Sequence, residues 1–523
     1  MEYIIEKIKL STEDRSLLIK SLGFTFFWGL LAHTYGFTNG LFSHDSLQSI
    51  VRLNKFKLQL GRFMAYLVRR IFRQGITMPW LIGMLSLLYI GLAVYLIIKI
   101  FDIKSSLAIF LTAGILTTNI TVTALIGTYI HDLDLNMLAL LFAVGSVYCW
   151  KYYKWGYLFG AALVCISLGF YQAYFSLAVL LIISLSILLL IEGEDYKKVF
   201  FNGLKGILML LIGCGLYAVA VKFSCRIFNV SLSSTANGLR KITEQTDIPL
   251  RQWIIQALYD WKDRMGALIP VFSRRTEIII SGLLLIGPLI MFALAVQKKQ
   301  IKWQSVLLIV LLVFAMPITA NLIYVLSKGE VHNLMILSFF CPYLLILAMD
   351  WSKEFPKKFK MPVQLISCVL FLVLLWGNVQ TSNALYLKKD LEKQATLSVM
   401  TRVVDGIERY PGYERGVTPV VIYGKYEQKT VYGFEKYAAI IGAEHTSAIS
   451  ISRPRPEFYV NMYDAYFKYI LNSNTNICDF DTWERLKDNE QVKAMPVFPK
   501  EGYIQMVDGI LVVKMNEKFY DKY

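Results

Sequence analysis

The sequence predicts a polytopic α-helical membrane protein with about eleven transmembrane helices and a small C-terminal α/β domain. The chain of 523 residues is 56% hydrophobic and 18% charged, with a mean hydropathy of +0.49. Soluble domains are about 45–50% apolar and about 25% charged. Long apolar runs also recur along the first three quarters of the chain. These observations exclude a soluble enzyme, a secreted disulfide scaffold and a disordered protein.

A transmembrane helix needs about 20 predominantly apolar residues, and eleven segments reach or approach that length. They lie near residues 21–38, 77–98, 105–126, 134–149, 156–171, 173–191, 203–222, 277–296, 304–326, 334–349 and 361–379. The sequence therefore predicts three parts: an N-terminal segment (1–20), a transmembrane domain (21–379) and a soluble domain (380–523).

The distribution of charge predicts the orientation of these helices. Lysine and arginine are concentrated in alternate short loops, which the positive-inside rule places in the cytoplasm together with the N-terminus. Residues 380–523 carry equal numbers of basic and acidic groups, so the net charge of +16 belongs to residues 1–379. Excess basic charge in a membrane region is typical of contact with anionic lipid. We expect the C-terminal domain outside the cytoplasm, a lipid bilayer around the helices, and no nucleic-acid partner.

Two longer outer loops contain predicted interfacial helices, near residues 46–74 and 249–266. In the first loop, one helical face is apolar, at Leu60, Phe63, Met64, Leu67, Val68, Ile71 and Phe72. The other face is basic, at Arg62, Arg69, Arg70 and Arg73. Such a helix is expected to lie in the membrane interface with its basic side towards phosphate groups. Lipid anchoring alone is the alternative interpretation.

Polar residues in a membrane domain are informative because hydrocarbon makes them costly. Most predicted spans contain no acidic or basic residue, which argues against an ion-coupled transporter with carboxylates at the midplane. The polar groups gather instead at the predicted outer ends of helices. They are His44 and Asp45; His131, Asp132 and Asp134; Tyr171 and Gln172; and Lys328, Glu330 and His332. Carboxylates, imidazoles and guanidiniums on one rim can deprotonate an acceptor hydroxyl and neutralise a leaving phosphate. Each of them taken alone could also be an ordinary solvated loop residue.

The C-terminal segment is predicted to be α/β. Residues 381–410 indicate a polar helix, residues 419–423 a buried strand, and Asp508-Gly509 the turn of a hairpin. The chain contains no Walker, Rossmann, zinc or catalytic-triad spacing, and five of its seven cysteines lie in apolar spans. We therefore predict neither a cofactor nor a metal site.

The polar segments carry a resemblance to a known family. Its motifs are Ser43-His44-Asp45, Leu60-Gly61-Arg62-Phe63, residues 128–138, and Gly169-Phe170-Tyr171-Gln172-Ala173-Tyr174. Over roughly residues 20–350 the chain resembles the glucosyl transferase II family, which has the C-type glycosyltransferase fold and includes bacteriophage serotype-converting enzymes. Members of that family often carry paired acids where this chain has His44-Asp45, so which acid is the base stays open.

The resemblance implies a reaction as well as a fold. The donor would be a polyprenyl-phosphate hexose, foremost glucose, presented at the outer leaflet of a bacterial cytoplasmic membrane. The acceptor would be a growing surface glycan, and a flippase and a donor synthase are expected partners. A lipid-linked donor needs no nucleotide-binding domain, which agrees with the missing glycine-rich loops.

We therefore predict an inverting, metal-independent glycosyltransferase with Asp45 as general base and Asp132 as a second catalytic candidate. Four arginines would bind the donor phosphate: Arg62, Arg69, Arg70 and Arg73. The remaining site residues would be His44, His131, Asp134, Tyr171, Gln172, Lys328, Glu330 and His332. Two alternatives stay open: a flippase or transporter of a lipid-linked sugar, and a polysaccharide polymerase or ligase. A charged cavity at the midplane would favour the flippase, and a wide outer groove the polymerase.

Overall fold

The structure is a computed structural model that describes residues 11–51, 53, 55–233, 248–298, 301–329, 331–426, 431–438, 448–449 and 456–517. Within these ranges, eight helical stretches are long and apolar enough to cross a membrane. They are Thr12–Thr38, Pro79–Ile100, Ser106–Tyr152, Gln172–Ile191, Tyr196–Phe228, Arg274–Gln297, Trp303–Ala320 and Lys357–Glu408. Two shorter apolar stretches are Gly156–Phe170 and Leu337–Asp350. Each of the eleven predicted segments overlaps helical structure, in agreement with a helical membrane protein.

Several of these stretches are divided into shorter helices. The 106–152 stretch consists of Ser106–Thr118, Ile120–Tyr129, a 3₁₀ turn at Ile130–Asp132, and Leu133–Tyr152. A 3₁₀ turn at Gln172–Tyr174 precedes Phe175–Ile191, and Arg274–Leu284 is followed by Ile286–Gln297. Leu322–Leu326, Asn333–Met335, Leu337–Phe340 and Cys341–Asp350 complete this part. The loops between spans contain His44–Gln48, Phe56–Gln59, Phe63–Arg73 and Leu250–Arg264.

The first helix, Thr12–Thr38, packs closely against Pro79–Ile100. A side chain at Gly29 would collide with Leu87, and one at Gly91 would collide with Leu22. Small residues allow helices in a membrane to approach each other in this way. The first helix ends at Thr38, and five residues separate it from the helix that begins at His44.

A break at Asn119 sets the direction of helix Ile120–Tyr129. The Asn119 side chain accepts hydrogen bonds from the backbone of Thr121 (3.1 Å) and Val122 (3.2 Å), so it caps the new helix. Its amide group also donates to the carbonyl of Leu116 (2.8 Å) in the preceding helix. The redirected helix ends at Tyr129, next to the segment that follows the first span.

The last membrane helix does not end where the composition changes. We expected a boundary at residue 379 and a separate polar helix at 381–410, but Lys357–Glu408 is one helix of 52 residues. Residues 380–408 contain no proline that would end the helix. The change from apolar to polar composition means that the helix passes into different surroundings, and it does not end the helix. Its last turns, at Met400, Val403 and Ile407, pack into the core of the C-terminal domain.

The C-terminal domain is built on a four-stranded sheet. Its strands are β1 (Pro419–Tyr423), β2 (Asn476–Ile477), β3 (Ile504–Val507) and β4 (Ile510–Lys514), in the order β2-β1-β4-β3. Strand β1 pairs in parallel with β2 and β4, and β3 and β4 form the predicted hairpin around Asp508-Gly509. The helices are Glu435–Ala438, Pro456–Tyr469, Phe480–Leu486 and Glu490–Ala494. The predicted strand and hairpin are both present.

Candidate functional site

A five-residue helix, His44–Gln48, carries the predicted base and is called the Asp45 helix below. Ser43 precedes it and caps it, accepting a hydrogen bond from the backbone of Ser46. The hydroxyl groups of Ser43 and Ser46 both donate to the carbonyl oxygen of Thr128, at 2.7 Å for Ser46. The Asp45 helix is therefore tied to the end of Ile120–Tyr129.

Asp45 itself stays accessible. Its side chain is 32% exposed, whereas that of the neighbouring His44 is 6% exposed. The His44 Nε2 atom lies 3.4 Å from Asp45 Oδ2, and the Tyr129 hydroxyl hydrogen-bonds to the same carboxylate. Burial lowers the pKa of His44, the Asp45 charge acts in the opposite direction, and the charge of Lys389 adds to the lowering. A neutral imidazole and a phenol therefore flank a carboxylate that still reaches water.

The turn at 131–134 carries two further carboxylates, Asp132 and Asp134, in a different environment. The Asp132 side chain is 8% exposed and forms an ion pair with Lys57. Arg69 Nη1 lies 3.7 Å from Asp132 Oδ1, and His131 Nε2 lies 3.5 Å from Oδ2. Asp134 pairs with Arg73 at 3.1 Å. A buried charge is tolerated when it is paired in this way.

The arginine helix, Phe63–Arg73, differs from the prediction in the direction of its basic face. Arg69 and Arg73 are only 5% and 4% exposed, whereas Ile71 and Phe72 are 68% and 77% exposed. The two arginines point inward and pair with Asp132 and Asp134, and the apolar side chains of Phe63, Met64 and Val68 also pack against the hydrophobic core. Arg70 is exposed on the surface of this helix.

Arg69 also holds the loop around it together. Its guanidinium donates to the carbonyl oxygens of Ser49 and Gly75, the latter at 3.0 Å. Arg73 donates to the carbonyl oxygen of His131 at 3.0 Å. Both side chains therefore connect the ends of the loop to the acidic turn, in addition to neutralising it.

Arg62 has different surroundings. It lies at the start of the arginine helix, is partly exposed, and places its guanidinium 4.5 Å from the centre of the Tyr171 ring. Its Nε atom donates to the side-chain oxygen of Gln172 at 3.3 Å. Gln172 in turn donates to the hydroxyl of Tyr217 (2.8 Å) and the carbonyl oxygen of Leu60 (2.9 Å). The guanidinium is thus oriented and still has donors to spare for an anion.

Tyr171 forms the floor under that guanidinium. Burial raises the pKa of its phenol to about 12, with the Arg62 charge opposing the shift, so the phenol is neutral at ordinary pH. Its hydroxyl is buried and has no hydrogen-bond partner within the part of the chain that the structure describes. A buried polar group of this kind usually finds a water molecule or a ligand.

These groups form one site. Tyr129 lies within electrostatic range of both Asp45 and Arg62, and Tyr171 within range of both Arg62 and Asp132. An accessible carboxylate and an oriented guanidinium therefore share one end of the helical bundle. Such a pair can accept a proton from a hydroxyl and hold a phosphate in the same reaction.

The segment after the ninth predicted span is held by Arg264. Arg264, which pairs with Asp260, donates to the carbonyl oxygen of Val331 (2.9 Å) and the side chain of Asn333 (3.0 Å). The Asn333 carbonyl oxygen accepts from Thr121 at 2.9 Å. Thr121 lies in the first turn of helix Ile120–Tyr129, and Tyr129 is about 12 Å further along at 1.5 Å per residue.

This geometry places the segment 331–333 beside Arg264 and Thr121. The roles predicted for Lys328 and His332 stay predictions. Glu330, the third residue predicted in that loop, lies outside the described residues. The predicted helix near residues 249–266 is present as Leu250–Arg264 and supplies the arginine that holds this region.

Three site residues were not assigned from the sequence: Lys57, Tyr129 and Tyr217. Their contacts could not be predicted from local spacing, because the partners are distant in the sequence. Lys57 contacts Asp132, 75 residues away; Tyr129 contacts Asp45, 84 residues away; and Tyr217 contacts Gln172, 45 residues away. Among the described residues, no group of three or more histidine, cysteine, aspartate or glutamate side chains could hold a metal ion.

A comparison with protein families identifies one match. The family model described as glucosyl transferase GtrII covers residues 34–349, more than half of the chain. No curated protein and no solved structure matches the chain. The matched range begins within the first membrane helix and contains the Asp45 helix, the acidic turn, the arginine helix and Tyr171-Gln172.

Proposed function

The chain belongs to the glucosyl transferase GtrII family, and we propose that it moves a hexose, foremost glucose, from a polyprenyl-phosphate donor to a surface polysaccharide. The reaction takes place at the outer face of a bacterial cytoplasmic membrane. The observation that carries this proposal is that an accessible carboxylate, Asp45, and an oriented guanidinium, Arg62, both lie within electrostatic range of Tyr129, at one end of an apolar helical bundle.

Asp45 acts as the general base. It takes the proton of the acceptor hydroxyl while the hydroxyl oxygen attacks the anomeric carbon of the donor sugar. The bond between that carbon and the phosphate oxygen breaks, and polyprenyl phosphate leaves with the bonding electrons. A single displacement inverts the configuration at the anomeric carbon. His44 and Tyr129 hold the carboxylate in place.

Arg62 binds the phosphate of the donor. A guanidinium can present two parallel N–H donors to phosphate oxygens, and it stabilises the negative charge that grows on the leaving group. Arg69 and Arg73 were predicted to share this role. Their burial and their ion pairs with Asp132 and Asp134 support a structural role for them instead.

Asp132 organises the site and does not take the proton in this scheme. It is surrounded by Lys57, Arg69 and His131, and its side chain is almost fully buried. A carboxylate that already neutralises Lys57 and Arg69 is a poor proton acceptor. Its proposed task is to hold the acidic turn, and with it Tyr129, against the Asp45 helix.

The proposal predicts a product that can be measured. Membranes containing the protein should transfer radiolabelled glucose from polyprenyl-phosphate glucose to surface polysaccharide, and deletion of its gene should remove one glucose branch from that polysaccharide. The Asp45→Asn variant, restored to the deletion strain, is the matched control. If the polysaccharides of the deletion strain and its parent are identical, this function is wrong.

The donor also defines the expected partners. A donor synthase and a flippase would supply polyprenyl-phosphate glucose at the outer leaflet. The site must then face outward, together with the C-terminal domain. In a variant without the seven cysteines, an impermeant thiol reagent should label a cysteine placed at Ser473 and miss one placed at Lys353. The reverse pattern would put the site in the cytoplasm.

A further inference from the structure

We propose that the C-terminal domain positions the general base, because it holds the back of the Asp45 helix by enclosing Leu47 in its own hydrophobic core. This inference rests on the proposed transferase function and gives the C-terminal domain a part in it. Leu47 is then a positioning residue that acts through Asp45.

Leu47 belongs to the core of the C-terminal domain, although it precedes that domain by more than 330 residues. It is fully buried and shares one apolar cluster with Met400, Val420 and Tyr463. The flanking side chains of Phe42 and Ile50 pack against the same cluster. The Asp45 helix also packs on helix Pro456–Tyr469. The helix is therefore inserted between the membrane bundle and the C-terminal domain.

The Asp45 helix uses different faces for these contacts. At 3.6 residues per turn, Asp45 and Leu47 are about 160° apart around the helix axis. Ser43 and Ser46 attach the helix to the membrane bundle, Leu47 attaches it to the C-terminal domain, and Asp45 is left open to water. A helix of five residues is not stable on its own, so its orientation depends on these attachments.

The long helix Lys357–Glu408 connects the C-terminal core to the elements around the site. The Tyr386 hydroxyl lies 2.9 Å from the Nδ1 atom of His33 in the first span. The Ser382 hydroxyl lies 2.7 Å from that of Thr123, in the helix that ends at Tyr129. The same helix thus contacts both elements that frame the site, and about four turns later it enters the C-terminal core.

The long helix also carries two buried lysines near the site. Lys389 is 2% exposed and lies within electrostatic range of His44. The neighbouring Lys388 pairs with Glu392 at 2.7 Å. This helix therefore approaches the Asp45 helix at His44, in addition to holding it through Leu47.

The test compares two truncations in one hydrophobic core. Leu47→Ala removes the contact with the Asp45 helix, and Ile407→Ala removes an equally buried side chain of the same cluster at the far end of the long helix. A base displaced by about 1 Å can cost about 100-fold in rate. We expect Leu47→Ala to lower kcat for glucose transfer about 10- to 100-fold with the donor KM unchanged. Ile407→Ala should keep kcat while lowering the thermal unfolding midpoint to a similar extent.

The volume-conserving variant Leu47→Met should restore kcat, since methionine can fill the same space. If Leu47→Ala does not fold, Leu47→Val is measured against Ile407→Val in the same way. Equal losses of kcat at the two positions would overturn the proposal, and so would full kcat in Leu47→Ala or, where that variant does not fold, in Leu47→Val. A wild-type protein without transferase activity would instead reject the proposed function itself.

Discussion

The Asp45 helix and the acidic turn at 131–134 lie side by side, but their carboxylates have different surroundings. Asp45 is one-third exposed, with a neutral imidazole and a phenol as neighbours. Asp132 and Asp134 are almost fully buried, with Lys57, Arg69 and Arg73 as neighbours. An accessible carboxylate can exchange protons with a substrate, whereas a buried, paired one mainly determines where other groups lie. From this difference we propose that Asp45 takes part in the reaction and that the acidic turn has a structural role.

Removal of the Asp45 charge should have the largest effect on catalysis. Asp45→Asn keeps the shape of the side chain but cannot accept a proton, and general-base assistance is worth roughly 10²- to 10⁴-fold in rate. We expect kcat for transfer to fall by about that factor, with donor binding and unfolding temperature nearly unchanged. Transfer of labelled glucose and thermal unfolding in detergent measure the two quantities. Full activity in this variant would remove Asp45 from the mechanism.

Removal of the Asp132 charge should mainly affect stability. Asp132→Asn leaves Lys57 and Arg69 buried without their carboxylate, and breaking a buried ion pair costs about 3–5 kcal/mol. We expect a clearly lower unfolding midpoint, and partial recovery when Lys57→Met is added to the same chain. A stable but inactive Asp132→Asn protein would reverse the assignment and make Asp132 the base.

Arg62 and Arg73 test the same difference between a residue that binds substrate and a residue with a structural role. Arg62→Lys loses the planar pair of donors, and since a hydrogen bond to a charged group is worth about 1.5–3 kcal/mol, the donor KM should rise about tenfold or more. Arg73→Lys keeps a positive charge near Asp134 and should change stability by about 1 kcal/mol with an unchanged donor KM. Donor titrations of both variants test this. Similar donor KM values for the two would reduce Arg62 to a structural residue.

Much of the architecture follows from the sequence alone. Apolar runs are long and nearly free of charge, so each predicted span overlaps helix, and Asp508-Gly509 specifies its hairpin locally. The continuous helix Lys357–Glu408 was not predicted, because hydropathy reports the surroundings of a helix and not its ends. The buried Lys388 and Lys389 show the same limit, since tertiary contacts decide their burial.

The site was predictable in composition but not in its contacts. The predicted topology and the family resemblance grouped Asp45, Arg62 and Tyr171, and all three lie within electrostatic range of Tyr129. The inward direction of Arg69 and Arg73 could not be read from the sequence, because an amphipathic helix in a membrane protein can expose its apolar side to lipid. Pairing with the acidic turn decides that direction.

The smallest expected effect concerns His44, whose neutrality distinguishes the Asp45 region from the charged acidic turn. Its pKa is lowered below the ordinary value of about 6.5, with burial as the main cause, so the native protein binds fewer protons than the unfolded chain. The stability that His44 contributes is therefore fully present above about pH 6.5 and is lost as the pH falls towards the native pKa.

In His44→Gln, which keeps a polar donor but cannot titrate, the unfolding midpoint should fall less steeply than in the wild type between about pH 7 and 5. Thermal unfolding across that range measures the difference. Parallel curves for the two proteins would mean that folding does not shift the pKa of His44, and a neutral imidazole would then no longer distinguish the surroundings of Asp45 from those of Asp132.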